Sequence, residues 1–502
     1  MQRIYITTPI YYVNGSPHIG HAYTSVAADV LARWHRLMGR EVFFLTGTDE
    51  HGQKVEQAAA AAGESPQAFA DRVSAEFRAM ADLMGVSYDD FIRTTEDRHK
   101  ATCRALWEKL AAAGHIYLGE YEGWYATRDE CFYGDDEVTL HPDGRRTAPT
   151  GATVERVREP SYFFRLSKFR ERLIAHIEGH PDFLAPLSAR NEVLAMLRRD
   201  LPDLSISRTS FTWGIPVPGA EGHVMYVWLD ALTNYLSAVQ NAERSGFWPA
   251  SLHLVGKEIV RFHAIIWPAI LMAADLPLPE RVFAHGWWTV EGEKMSKSLG
   301  NVLNPKDLVE EFGLDPVRYF LLREMPFGND GDFSRTSLIS RINNELANDL
   351  GNLAQRTLSL IQKAGGTVPR IHDREWALCD AFAHATTDLP EGVDRAMRRH
   401  ALHEALDIVW NVVREANAYI ARQAPWALRK TDPERADTVL RILLDALRAV
   451  AVVLQPFMPG AMARLLDQLG VPADQRTVHA LRGAVDGAPL PAPSPIFPRV
   501  AA

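Results

Sequence analysis

Two histidines, His18 and His21, stand three residues apart in His18-Ile19-Gly20-His21, just after the turn signal Asn14-Gly15-Ser16-Pro17. At that spacing they share one face of a first helical turn. A helix N-terminus offers free N–H groups and a positive dipole end, which favour phosphate. Two imidazoles add donors there, and Gly20 lets a planar base approach the backbone. Far downstream, Lys294-Met295-Ser296-Lys297-Ser298 lies between Gly292 and Gly300-Asn301. Two ammonium groups in a Gly- and Ser-rich loop can fold over a polyphosphate and neutralise developing charge. Each cluster alone has a plainer explanation, as surface histidines near a turn or as a solvated basic loop. Their joint occurrence points to chemistry at a nucleotide phosphate.

The elements that must position these groups alternate. Residues 3–9 are β-rich and lead through the turn into a helix with Pro17 in its first turn. Residues 41–45 form a second apolar strand that ends at Thr46-Gly47-Thr48-Asp49-Glu50-His51-Gly52, and helical patterns cover 66–83 and 96–113. Strand, helix, strand, helix predicts a parallel doubly wound sheet, whose ligands sit beyond the carboxyl ends of the strands. Residues 116–202 change character to Tyr, Gly and acidic residues with the turn His141-Pro142-Asp143-Gly144, and read as an insertion. The α/β pattern returns over 224–236, 252–255 and 282–290, and from about 343 the chain is helical. There Val439, Ile442, Leu443, Ala446, Leu447 and Val450 make one stripe behind the cap Asp432-Pro433-Glu434. The Pro-rich segment 487–500 is expected to be extended and packed on the surface.

A length of 502 residues suggests about three domains. At 47% hydrophobic, 23% charged and a net charge of −9, the composition excludes disorder, collagen and a uniformly basic nucleic-acid binder. A local basic face suffices for phosphate recognition. Cys103, Cys131 and Cys379 are odd in number and far apart, which suits a reducing cytoplasm rather than a disulfide framework. Residues 1–8 read as a strand rather than a signal peptide, and the apolar runs 264–274 and 449–458 are too short to span a membrane. A soluble, cytoplasmic protein with no membrane partner is expected.

His18–His21 and Lys294–Ser298 match, letter for letter, the HIGH and KMSKS signatures of the class I aminoacyl-tRNA synthetases, and the chain resembles that family. Further strings narrow the resemblance to the methionyl-tRNA synthetases. They are Thr8-Pro9-Ile10-Tyr11-Tyr12-Val13-Asn14-Gly15, Gly47-Thr48-Asp49-Glu50-His51-Gly52, Tyr226-Val227-Trp228-Leu229-Asp230-Ala231, Phe262-His263-Ala264-Ile265-Ile266-Trp267-Pro268 and Ala424-Pro425-Trp426. The resemblance implies an α/β fold, a Rossmann-like doubly wound parallel sheet with an inserted connective domain, followed by an all-α anticodon-binding bundle. The expected divisions are 1–115 and 208–290 for the two catalytic halves, 116–207 for the insertion, 291–342 for the lysine loop and stem-contact segment, 343–486 for the bundle and 487–502 for the tail.

The implied reaction has two steps. The carboxylate of methionine attacks the α-phosphate of ATP, and the adenylate then passes its acyl group to the terminal ribose of tRNA(Met). The resemblance assigns His18, Gly20, His21, Lys294 and Lys297 to ATP, accompanied by Mg2+ held mainly by phosphate and water. Arg208 matches a family arginine near the triphosphate, with a structural ion pair as the alternative. Ile10, Tyr12, Asp49, Trp228, Ala231, Leu232, Tyr235, Ile259 and His263 match the amino-acid pocket. Aromatic and aliphatic groups can wrap a polarizable thioether, Tyr12 and His263 can turn a polar atom toward the sulfur, and Asp49 can pair with the ammonium. Trp228, Leu232 and Tyr235 also have the helical spacing of core residues. Glu258 stands where many relatives have Asp, so its contact with the ATP ribose stays outside this set.

Asn352, Arg356, Pro425 and Trp426 match positions that meet the anticodon. An indole can stack on an unpaired base, and an amide and a guanidinium one helical turn apart can read its edge and phosphate. For Trp426 the alternative is a core residue at a helix start. Many relatives hold zinc in the insertion through Cys-x-x-Cys knuckles, whereas here Cys131 and His141 are too few for a four-coordinate site. No zinc is expected, and Trp124, Tyr125, Phe132 and Tyr133 are expected to hold that region by packing. With the chain ending soon after the bundle, a monomer is expected. Synthetases for larger aliphatic amino acids need editing domains for which there is no room, and the cysteine enzyme needs zinc ligands. Small H-x-G-H nucleotidylyltransferases lack the lysine loop and the helical third. A catalytically silent RNA-binding relative would not need Asp49 and both signatures intact.

Overall fold

β1 (Arg3–Thr7), β2 (Tyr11–Tyr12), β3 (Glu41–Asp49) and β4 (Asp90–Arg93) open a seven-stranded sheet in which every pairing is parallel. The computed structural model describes residues 2–129, 131–294, 302–372, 382, 386–481 and 483–501. The sheet order is Leu184–Ala185, Val282–His285, Leu252–Gly256, β1 and β3, with β2 and β4 both alongside β3. These strands read as apolar runs because both faces are covered by helices. On one face α1 (Ile19–Leu37) buries Val26, Val30 and Trp34. On the other, Phe43, Leu45 and Val255 join Trp107 and Trp267 in a second core.

β1 is flanked by β3 on one side and by the later strand Leu252–Gly256 on the other. The chain thus builds outward in one direction and returns to build in the other. The crevice at the carboxyl end of β1 is the switch point where such sheets receive ligands. Leu184–Ala185, inside the span expected to be inserted, pairs with Val282–Phe283 and edges this main sheet. The sequence did not suggest this, because two paired residues carry no periodic signal and their partner lies far along the chain.

The insertion is a long antiparallel hairpin, Ile116–Ala126 with Glu155–Phe164. Its outer end has a small core of Ala126, Tyr133, Ala148, Ala152 and Val154. Trp124 donates its Nε1–H to Asp135 at 2.6 Å beneath the Arg146 guanidinium, and the Tyr133 hydroxyl donates to Asp129 at 3.0 Å. The side chain of Phe132 lies outside the described residues.

The last third is built from Asn352–Lys363, Leu402–Gln423, Pro433–Leu454 and Pro459–Gln468, among others. Pro433–Leu454 starts where the Asp432 carboxylate accepts the Arg435 N–H, and the expected stripe is buried. Arg318 joins this bundle to the sheet. Its guanidinium is fully buried and donates to Asp29 at 2.7 Å, Met84 O at 2.9 Å, Phe457 O at 3.0 Å and Pro456 O at 2.8 Å. Burial works against the Asp29 carboxylate, but Arg318, Arg33 and Ser87 outweigh it and hold its pKa below the ordinary range. The terminal segment is extended, with Leu490 N–H on Gly366 O at 2.9 Å and Ile496 and Phe497 buried. Among the described residues, no helix is long and apolar enough to cross a membrane.

Candidate active site

His18 caps α1 and His21 lies in its first turn, at the switch point of the sheet. The Gly20 N–H donates to His18 Nδ1 at 3.1 Å, and the His18 N–H donates to His21 Nδ1 at 3.1 Å. Each Nδ1 is therefore an acceptor, so in the neutral rings the proton resides on Nε2. Burial first, and the His18 imidazole second, push the His21 pKa well below the usual value, which keeps that ring neutral. The rings lie 3.9 Å apart, and Tyr11 and Phe77 present T-shaped contacts to His21 at 5.0 Å each. A Cβ on Gly20 would come within 3.0 Å of the His18 ring, so the glycine makes room for that imidazole. The result is a pair of fixed Nε2–H donors at a helix N-terminus, a suitable cradle for phosphate.

The lysine segment is located by its two ends. Glu293–Lys294 pairs antiparallel with Trp288–Val290, placing Lys294 opposite Thr289, and Trp288–Val290 pairs in turn with Gly331–Phe333. Lys297 lies outside the described residues, as does the side chain of Lys294. Just beyond, Leu303 O accepts the Ile19 N–H at 3.1 Å. Leu303, which follows the lysine segment in the chain, thus lies at the first turn of α1, against the residue between His18 and Gly20.

Of the nine expected pocket residues, Ile10 precedes β2, Tyr12 and Asp49 end β2 and β3, Trp228, Ala231, Leu232 and Tyr235 lie on the short helices Val227–Leu232 and Asn234–Ser237, and Ile259 and His263 lie on the turns Lys257–Ile259 and Phe262–Ile266. Tyr12 pairs with Asp49 in the sheet. Ile10, Tyr12, Trp228 and Ile259 are half-buried and pack on the edge of the second core, whereas Asp49, Ala231, Leu232, Tyr235 and His263 are buried. The first group can form a wall and the second its backing. Trp228 lies flat on Phe262, with centroids 3.6 Å apart and planes within 9°. His263 Nδ1–H donates to Ile259 O at 3.0 Å, so its Nε2 accepts the Tyr235 hydroxyl at 2.7 Å. Burial lowers its pKa to about 4, in keeping with a neutral ring. Both nitrogens are thereby engaged within the protein, and His263 does not offer the polar atom that its residue type suggested.

Beneath this wall lies a network that sequence reasoning did not single out. Asp230 accepts His51 Nδ1–H at 2.6 Å and His99 Nε2–H at 2.7 Å. Burial raises its pKa, but the two imidazoles outweigh burial and bring it down to about 2. A charged residue inside the apolar run Val227–Leu232 was the available signal. Among the described residues, His99, Cys103 and Asp230 are the one group that could hold a metal ion. The separations of 2.7 Å for His99–Asp230 and 3.2 Å for Cys103–His99 are those of hydrogen-bonded partners. Ligands of a tetrahedral zinc lie roughly 3.3 Å or more apart, so the cluster is a proton-bonded one.

Arg208 is fully buried, donating to Ser205 Oγ at 2.8 Å and Ser207 O at 2.6 Å, with Glu159 at 3.8 Å and the Tyr226 ring 4.4 Å below. That arrangement supports the ion-pair reading over a phosphate contact. Glu258 folds back on Gly256 and accepts the Trp287 Nε1–H at 2.6 Å.

In the bundle, Asn352 and Arg356 lie one turn apart at the start of Asn352–Lys363. The Arg356 guanidinium is 5.8 Å from the centre of the Trp426 ring. Trp426 is 45% exposed, which removes the core explanation, while Pro425 is buried as the first residue of Pro425–Thr431. An exposed indole beside a guanidinium can serve as a stacking platform for a base.

Comparison with known proteins points to one family. The family described as tRNA synthetases class I (M) matches residues 4–358, and the anticodon binding domain of methionyl tRNA ligase matches residues 365–501. A methionine–tRNA ligase of Mesorhizobium japonicum is 53% identical over 509 residues, spanning 99% of this chain and 98% of that protein. Another, from Rickettsia bellii, is 54% identical over 479 residues, spanning 94% of this chain and 93% of its own length. The solved Mycobacterium tuberculosis methionyl-tRNA synthetase in complex with methionyl-adenylate has a TM-score of 0.96 at 46% identity, covering 99% of this chain and 100% of that one.

Proposed function

We propose a residue-level mechanism from one premise: the chain belongs to the class I methionyl-tRNA synthetase family, and is therefore an ATP-dependent ligase that joins methionine to tRNA. In the first step a methionine carboxylate oxygen attacks the α-phosphorus of ATP. The bond from that phosphorus to the bridging oxygen breaks, giving methionyl-adenylate and pyrophosphate. In the second, a terminal ribose hydroxyl of tRNA(Met) attacks the acyl carbon and AMP departs. No protein nucleophile is needed, because positioning and charge stabilisation lower the barrier.

His18 and His21 hold the ATP phosphates through their Nε2–H groups, with Gly20 beneath the adenine. Lys294 and Lys297 close over the triphosphate and stabilise the charge that gathers as pyrophosphate leaves. The observation that carries this reading is the reciprocal cap of His18 and His21, tied through Ile19 to Leu303. Mg2+ accompanies the ATP. The donors fixed at this helix start are N–H groups, which fit phosphate oxygens rather than a cation, so the ion would be held by phosphate and water rather than by these side chains. Asp49 pairs with the substrate ammonium, while Ile10, Tyr12, Trp228 and Ile259 enclose the thioether against Ala231, Leu232, Tyr235 and His263. For Arg208 the buried pairing with Glu159 favours the structural role.

Asn352, Arg356, Pro425 and Trp426 receive the anticodon. The insertion binds no zinc in this reading, since Cys131, whose side chain lies outside the described residues, and His141 are too few ligands for a four-coordinate site. The division of the chain is 1–115, 116–207 (which lends Leu184–Ala185 to the main sheet), 208–290, 291–342, 343–486 and 487–502, and the enzyme works as a monomer in the cytoplasm. Methionine-dependent pyrophosphate exchange with His21→Ala and Lys294→Ala tests the site. Rates that match the unaltered enzyme would remove these residues from the mechanism. Light scattering at micromolar concentration tests the monomer.

A further inference from the structure

Asp230 is wholly shielded from solvent, and both of its carboxylate oxygens are taken by imidazoles from different elements. His51 comes from the loop after β3, two residues beyond Asp49, and His99 from the helix Asp97–Ala112. Asp230 itself lies in Val227–Leu232, beside Trp228 and Ala231. One carboxylate therefore links the segment carrying Asp49 to the helix carrying Trp228. The loop is held on its other flanks as well. Trp213 Nε1–H donates to Glu50 O at 2.6 Å, the Gly52 N–H donates to Trp213 O at 3.0 Å, and Arg93 grips the Glu50 carboxylate at 2.6 and 2.9 Å.

The Ser237 hydroxyl donates to Thr233 O at 2.9 Å, so its oxygen faces His99 Nδ1, 3.1 Å away, as an acceptor. His99 Nε2 faces Asp230 Oδ1. The His99 ring is thus bonded on both sides, to Ser237 through Nδ1 and to Asp230 through Nε2, which fixes it between two elements. The Cys103 thiol donates to Asp230 O at 3.8 Å and lies 3.2 Å from His99 Nε2, closing the remaining side. With His99 anchoring one oxygen, the other holds His51.

We propose that Asp230 is a positioning residue for methionine activation: through His51 it fixes the Asp49 loop against the Trp228 helix, setting the distance between the ammonium and thioether ends of the pocket. The inference rests on the assignment of that pocket to methionine. The nucleotide groups, His18 and His21, lie on a different element, α1, so loss of the link should be felt by methionine and not by ATP.

Methionine-dependent pyrophosphate exchange by the full chain tests this. Asparagine at position 51 can place its amide N–H where His51 Nδ1–H now donates, whereas alanine cannot. For His51→Ala the KM for methionine should rise about tenfold or more with the KM for ATP unchanged, and His51→Asn should stay within about threefold of the unaltered enzyme. Asp230→Asn, which preserves volume, should show the same methionine-selective rise and serves if His51→Ala does not fold. Equal behaviour of the two His51 variants, or a parallel rise in both KM values, would overturn the proposal. Asp49→Ala tests the pocket separately. A normal methionine KM in that variant defeats the pocket assignment, whereas a large rise there beside unchanged Asp230→Asn and His51→Ala defeats only the positioning role.

Discussion

The amide of Ile19 donates to the carbonyl of Leu303 at 3.1 Å, although the two residues are separated by most of the catalytic core. Ile19 stands between the two histidines of the first turn, and Leu303 follows the segment that carries the two lysines. One backbone bond therefore fixes Leu303, just past the lysine segment, at the histidine turn that begins α1. Proline at the first position of a helix removes an N–H without opposing the helix, and His18 already has the extended backbone that a following proline requires. Ile19→Pro should consequently retain the helical circular dichroism but lower the pyrophosphate exchange rate roughly two- to tenfold below Ile19→Ala, which controls for the lost side chain. Equal rates in the two variants would show that the bond has no bearing on activation.

Stability should depend on pH in a defined direction. His263 is buried with its pKa lowered to about 4, and His400 with its pKa lowered to about 3 by burial first and then by Arg281 and His35. Between roughly pH 6.5 and 4 the unfolded chain binds protons at these positions that the folded chain refuses. The stabilisation is complete above that window and is lost as the pH falls through it. For His263 alone the loss by pH 5 is about 2 kcal/mol. Urea denaturation at pH 7 and pH 5 should show the midpoint falling, and falling less in His263→Gln and His400→Gln. The same pH dependence in all three proteins would contradict this.

Trp426 offers a test that separates the two steps. Its exposed ring stands beside Arg356, far in the chain from the adenylate chemistry. Base–aromatic stacking is worth ~1–3 kcal/mol, so Trp426→Ala should weaken tRNA charging by roughly five- to a hundredfold. Pyrophosphate exchange, which needs no tRNA, should be unchanged. Loss of exchange would mean that the indole supports the catalytic core instead.

The two signature strings were legible in the sequence because each is local, and β1, β3 and the helix Pro66–Leu83 because periodicity and caps are local too. Helix Pro433–Leu454 was legible down to its Asp432 cap. What could not be read depends on distant pairing. Leu184–Ala185 edges the main sheet through Val282–Phe283. Asp230 gains its meaning from His51 and His99, which lie 179 and 131 residues away. His263 carried the right residue type to face a sulfur, yet Tyr235 and Ile259 occupy its nitrogens. Residue type indicates which bonds a side chain can make, and the fold decides which of them are already made.

The central claim is that imidazoles from α1 and ammonium groups from the lysine segment act on one triphosphate. Single-turnover kinetics that resolve adenylate formation from acyl transfer test it most directly, with His21→Ala and Lys297→Ala compared. Both variants should form methionyl-adenylate at least about a hundredfold more slowly, as loss of a transition-state charge contact requires, while transferring methionine from supplied adenylate to tRNA at close to the normal rate. Normal adenylate formation in either variant, or equal loss of both steps, would contradict the account.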